Sequence, residues 1–172
     1  MKPALYLIAG ILLLSGSALA GMPMEIGWAE LLPPELRDRP LMPEPVHDRS
    51  ALGEFDEELL GDPAVQLEPA APVVAELDGR HIRLPGYIVP LGITEAMEVE
   101  EFLLVPWFGA CIHVPPPPSN QIVHVRSTSG IPLDALYQPF WISGEVRVEQ
   151  VESEMATAGY RISAASVEPY LY

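Results

Sequence analysis

Phe102-Leu103-Leu104-Val105-Pro106-Trp107-Phe108-Gly109-Ala110-Cys111-Ile112-His113-Val114 runs through Pro115-Pro116-Pro117-Pro118-Ser119-Asn120 into Gln121-Ile122-Val123-His124-Val125-Arg126. Phe102 to Val105 is a continuous apolar run closed by a proline, the pattern of a buried strand. Gln121 to Arg126 reads as a second strand. Between the two stand the single cysteine of the chain, a histidine, four consecutive prolines and two side-chain amides. Consecutive prolines adopt a rigid polyproline II segment without amide hydrogens, so this linker sets how one strand meets the next.

Working outward, the β signals continue on both sides. Upstream, Val73 to Leu77 and Arg80 to Leu84 flank Asp78-Gly79, a pair suited to the positive-φ positions of a tight hairpin turn. Pro85-Gly86 marks a bend before Tyr87-Ile88-Val89, and Glu95 to Glu101 is an acidic loop or short helical excursion. Downstream, Ser127 to Gly130 reads as a turn and Leu133 to Tyr137 as a brief helix. Phe140 to Glu149 is a strand bent at Gly144, and Gly159 to Ala164 closes the set. Many short strands with glycine bends predict an all-β, mainly antiparallel domain over residues 73–172, built as a small OB-like barrel. A β-sandwich is the alternative arrangement.

The N-terminal part reads differently. Lys2, the apolar run Leu5 to Leu14 and the small-residue exit Ala18-Leu19-Ala20 have the layout of a secretory signal peptide over residues 1–20. That layout predicts export to a bacterial periplasm with cleavage after Ala20, and no transmembrane segment in the mature chain. Residues 21–72 are rich in proline, which holds the chain extended. They predict an arm that wraps the domain through Trp28, Leu31 and Phe55. The whole chain carries a net charge of −15. Its only lysine falls in the signal segment, which has no acid, so the remainder is one unit more negative and carries arginine as its only cation. An acidic surface of this kind argues against nucleic acid as a partner, because phosphate neutralisation needs a basic one. It favours cations and basic partners, and it also keeps an exported protein soluble.

A single cysteine cannot form an intrachain disulfide, so stability must come from a hydrophobic core. Cys111 and His113 are separated by one residue and share a face if the segment is extended. A thiolate at about 2.3 Å and an imidazole nitrogen at about 2.0–2.1 Å could then hold one ion. Zinc is the first choice for such a mixed donor set and copper the second. His124 is the third ligand named, brought close if residues 108–114 pair with 121–126, with His81 and Glu101 as further candidates. Two other readings stand beside this one. Free cysteine behaves as a small buried hydrophobe, so Cys111 can be core filling and His113 a structural residue. A Cys–His pair can also be a nucleophile and its base, but no third orienting residue is visible, and no enzymatic activity is expected. Pro115, Pro116, Pro117 and Pro118 form a ridge that an aromatic groove could dock, with Asn120 and Gln121 clamping the loop.

The runs Phe102 to Pro106, Phe108 to Pro118 and Asn120 to Val123 resemble the signature of an exported bacterial family catalogued as domain of unknown function 3299. Leu84-Pro85-Gly86-Tyr87-Ile88-Val89-Pro90-Leu91 resembles its upstream motif. Trp141-Ile142-Ser143-Gly144 and Ala158-Gly159-Tyr160 resemble its downstream ones. The family usually has a fifth proline where Ser119 stands. The resemblance spans about residues 73–164 and implies an exported protein, in some cases encoded beside transporter components in settings that suggest metal handling. The resulting expectation is a periplasmic accessory protein that binds zinc or copper and serves an envelope transporter or metal homeostasis. The alternative is a metal-free module that docks a membrane protein complex through the proline-rich loop.

Overall fold

The structure is a computed structural model that describes residues 22–38, 65–111 and 115–170. Residues 1–20, expected as a signal peptide, and Phe55 and His113 lie outside the described residues.

Eight strands form in chain order: β1 (Met24–Glu25), β2 (His81–Pro90), β3 (Glu98–Val105), β4 (Val123–Pro132), β5 (Phe140–Arg147), β6 (Val151–Glu152), β7 (Thr157–Ala158) and β8 (Tyr160–Pro169). Strands β2, β3, β4, β8 and β5 are hydrogen-bonded in that order, and β5 returns to β2, which closes a five-stranded barrel. All barrel pairs are antiparallel except β4 with β8. This is the Greek-key closure of an OB-type barrel. The short β1 adds to β2 in parallel.

Period-2 alternation sorts the side chains. Ile82, Leu84, Ile88, Phe102, Leu104, Val125, Ile142 and Ile162 point inward and form one buried core. Their sequence neighbours point outward, as alternation on a pleated strand requires. Long strands must coil to close so small a barrel, and two irregularities supply the bend. One lies between Ser143 and Gly144 on β5, where a Cβ would collide with the Ser163 carbonyl. The other lies in the β3–β4 pairing, where Val99 faces Ile131 but Glu101 faces Arg126. The segment Ser127 to Gly130, expected as a turn, is therefore a bulge inside one continuous strand.

Two further expectations are corrected. Residues 73–77 do not form a strand: Ala75–Leu77 is a single 3-10 turn, and Gly79 at φ +73° sends its N–H to the Val146 carbonyl instead. Residues 108–111 do not pair with β4 either, because β3 and β8 occupy both of its edges, and the rest of that expected segment, 112–114, lies outside the described residues. The N-terminal segment packs on the barrel. Leu31 is fully buried in the core, Trp28 packs against it, and the buried Tyr160 hydroxyl joins three chain segments. That hydroxyl donates to the Leu31 carbonyl at 2.7 Å and accepts from the Val74 N–H at 2.7 Å.

Candidate functional site

The outer face of β2, β3 and β4 carries a second apolar layer. Val89, Leu103, Val105 and Ile122 lie on it, roofed by Ala110 from the loop after β3 and by Ala156 and Ala158 from the loop after β5. Cys111 packs against this layer, half-buried, in a turn where it adopts φ +65° beside Gly109 at φ +83°. Burial pushes its thiol up to about 12. A thiol protonated over the whole physiological range is poor as a nucleophile and must lose that proton before it can ligate a metal.

The prolines do not make a free ridge. Pro115 is exposed, but Pro116 and Pro117 are buried and Pro118 is half-buried. The Pro117 carbonyl accepts from Gln66 Nε2 at 2.8 Å, and the same Gln66 pairs with both the N–H and the carbonyl of Thr157. Asn120 and Gln121 are buried too. Asn120 Nδ2 donates to the Pro72 carbonyl at 2.7 Å, and Gln121 Nε2 donates to the Trp28 carbonyl at 3.0 Å. These side chains bind the N-terminal segment to the barrel, and Pro115 is the exposed member of the expected docking ridge. Each amide donates through its nitrogen to backbone carbonyls of the N-terminal segment, while Asn120 Oδ1 and Gln121 Oε1 are buried without a hydrogen-bond partner among the described residues.

Where the apolar layer ends, the same outer face becomes ionic. His124 on β4 is 3 % exposed, and its Nε2 lies 2.9 Å from Glu101 Oε1 on β3. Arg126 donates to that same oxygen through Nε at 3.1 Å and Nη2 at 3.0 Å. Partial burial raises the Glu101 carboxyl, but hydrogen bonds and charge from Arg126 and His124 outweigh it and hold it below its ordinary value. An ionised carboxylate only accepts, so Nε2 of His124 carries the proton and, in the neutral ring, Nδ1 is left as an acceptor. Nδ1 is buried and has no hydrogen-bond partner among the described residues. The parallel pairing of β4 with β8 sets Arg161 directly beside His124, and Arg161 Nη2 reaches Glu149 at 3.0 Å.

These groups floor a cleft of about 650 Å³ whose far wall is the β6–β7 hairpin loop, with Glu152, Ser153, Glu154 and Met155. The loop is stiffened internally by Ser153, whose hydroxyl donates to the Ala156 carbonyl at 2.6 Å and accepts its N–H. A cleft of this size falls within the usual range for small-ligand sites. It lies on the second and third barrel strands beside the loop between the fourth and fifth, where OB barrels carry their ligands.

Of the three expected metal ligands, Cys111 and His124 share this outer face and His113 lies outside the described residues. His81, at the exposed start of β2 opposite Glu145, is not part of the face. No cluster of three or more histidine, cysteine, aspartate or glutamate side chains suited to a metal ion occurs among the described residues. Arg126, Arg161 and the 149–155 loop were not singled out from sequence. For His124 and Arg126 the signal existed, since alternation with Val123 and Val125 puts both on one face. For Arg161 and the loop there was none, because only the parallel β4–β8 pairing brings them there.

A family model described as "Protein of unknown function (DUF3299)" matches residues 28–169, and the chain belongs to that family. It is similar to the crystal structure of a DUF3299 family protein from Pseudomonas aeruginosa PAO1, at 51% identity and a TM-score of 0.74. The similarity covers 88% of this chain and 99% of the other. Comparison with curated proteins finds no match.

Proposed function

We propose that the protein is an exported, periplasmic binding module whose outer-face cleft, and not its proline-rich loop, holds a partner at the cell envelope. The observation that carries the reading is the cleft itself: about 650 Å³ in the OB ligand position, floored by His124, Glu101 and Arg126, which hold one another in a fixed ionic network. The acid-rich surface disfavours the nucleic acids that many OB barrels bind. A photo-crosslinking residue placed in living cells at Met155, on the cleft wall, and separately at the exposed Pro115 tests it. Crosslinks from position 155 and none from 115 support the cleft. Crosslinks from 115 alone return the function to the proline-rich loop, and none from either sinks the module reading.

A second reading keeps zinc or copper at Cys111, His113 and His124. What favours it is the same Glu101–His124 pair, because metal-ligating imidazoles commonly donate their other ring N–H to a carboxylate. Titration of reduced protein with zinc decides it. Stoichiometric binding lost in both Cys111→Ser and His124→Ala supports it, and binding indifferent to both removes it.

A further inference from the structure

The floor of the cleft is balanced in charge but not exhausted in hydrogen bonds. Arg126 is paired with Glu101 and Arg161 with Glu149, so the charges cancel pair by pair. All the hydrogen bonds to Glu101 land on Oε1, which leaves Oε2 as an acceptor among the described residues. Arg126 spends Nε and Nη2 on that one oxygen, and Arg161 reaches Glu149 through Nη2, so both guanidinium groups keep further N–H donors. These side chains line the cleft and are open to solvent, Arg126 at 68% and Glu101 at 41% exposure. Donors and acceptors thus stand side by side with no charge left over. A hydroxyl group, which donates and accepts at once, satisfies such a pair.

From this pattern we propose that the cleft binds a neutral oligosaccharide, whose hydroxyls accept from Arg126 and Arg161 and donate to the carboxylates paired with them. The inference rests on the cleft being the binding site, and it adds the chemistry of the occupant. Charged ligands fit less well. An anion faces Glu149, Glu152 and Glu154 in the same cleft, and a cation resting on the floor meets two guanidinium groups. Phosphate polymers are disfavoured further by the net charge of −15. The dimensions suit a short chain of sugars. The lining runs from Pro90 on β2 through Glu101 and Arg126 to Arg161 on β8, four strands that are neighbours in the sheet. Three gaps of about 4.8 Å give a floor about 14 Å long, more than one sugar ring covers. Apolar Pro90, Leu91 and Met155 stand beside the ionic groups and suit the C–H faces of the rings. The loop wall is held by Ser153 and Gln66, so the cleft is formed before a ligand arrives.

Nitrogen-15 NMR titration of the purified protein tests the proposal. The glycan probes are maltohexaose, cellohexaose and tri-N-acetylchitotriose, and the charged probes are tetra-lysine amide and tetra-glutamate. At least one glycan is expected to shift the amides of residues 124–126 and 149–155. Its midpoint should hold through a tenfold rise in salt, because a neutral ligand has no charge to screen. Arg126→Met and, separately, Arg161→Met should each weaken that glycan at least tenfold. Arg80→Met, an exposed arginine outside the cleft, should keep it within twofold. Full binding in either cleft variant, or equal weakening in the control, overturns the proposal. A charged probe acting at lower concentration than every glycan, or a glycan midpoint that moves with salt, overturns the neutral class and leaves the cleft reading intact. Silence of the cleft to all five probes overturns both.

Discussion

Cys111 offers the sharpest quantitative check on the site. Burial moves its thiol from 9.0 to about 12, three units, and each unit is a tenfold change in thiolate at neutral pH. The native thiolate population is therefore about a thousandfold below that of the unfolded chain. A more basic thiolate is intrinsically a better nucleophile, with a Brønsted slope of about 0.4–0.5, which returns roughly twentyfold over three units. The net expectation is reaction with dithiodipyridine about fiftyfold slower in the native protein than in urea at pH 7.5, before any steric shielding. Stopped-flow absorbance reads the two rates directly. Native reaction as fast as that of the unfolded chain would refute the burial argument. The thiolate would then be available at neutral pH, and the metal reading would gain its strongest ligand. The same shift has a stability consequence. Because the native state keeps the proton that the unfolded chain gives up, this contribution is present below pH 9.0 and is lost as pH rises toward about 12.

Three other outcomes are expected. Tyr160→Phe removes a donor from the Leu31 carbonyl and an acceptor from the Val74 N–H, both inside the fold. About 2–3 kcal/mol of stability should go with them, read by urea denaturation, and a loss under about 0.5 kcal/mol would show that neither bond matters. Gly144→Ala places a methyl against the Ser163 carbonyl and 2.8 Å from Ile162 Cγ2, at the point where β5 bends onto β8. It should destabilise by about 1–3 kcal/mol or more, and an unchanged melting temperature would show that the bend relaxes freely. Glu101 is held below 4.5, so its ion pairs stabilise the fold above the ordinary carboxylate range and stop doing so as pH falls through the lower native value. The stability difference between the native protein and Glu101→Gln should therefore shrink below pH 4.5, measured by acid titration of unfolding, and a difference independent of pH would contradict it.

Alternation made the barrel legible. Ile82 and Leu84 alternate with His81 and Arg83 and point into the core, whereas Phe102 to Val105 is apolar throughout because its two faces pack on two layers. The errors fall where tertiary contacts override local chemistry. Ser127 to Gly130 has the composition of a turn, yet β3 holds it as a bulge because Ile131 is buried opposite Val99. Val73 to Leu77 has the composition of a strand, but the neighbouring edges are already taken. Its Val74 N–H is instead satisfied by the Tyr160 hydroxyl.

The candidate site was only half legible, for a different reason. Cys111 and His113 drew attention because their residue types are rare in this chain and stand close in sequence. The groups that meet around the cleft are far apart in sequence: Glu101 on β3, His124 and Arg126 on β4, Arg161 on β8, Glu149 to Met155 on the loop. A parallel β4–β8 pair has no local signature, because its register is set by the long connection between the strands. The placement of Cys111 follows from the same layering. A lone thiol is exposed to oxidative damage unless it is kept protonated. Packing it against the outer apolar layer that includes Ala110 and Val105 does that. The thiol and the ionic cleft are therefore two ends of one face. The apolar end packs Ala110 and Cys111 onto the barrel, and the charged end stays open as the cleft.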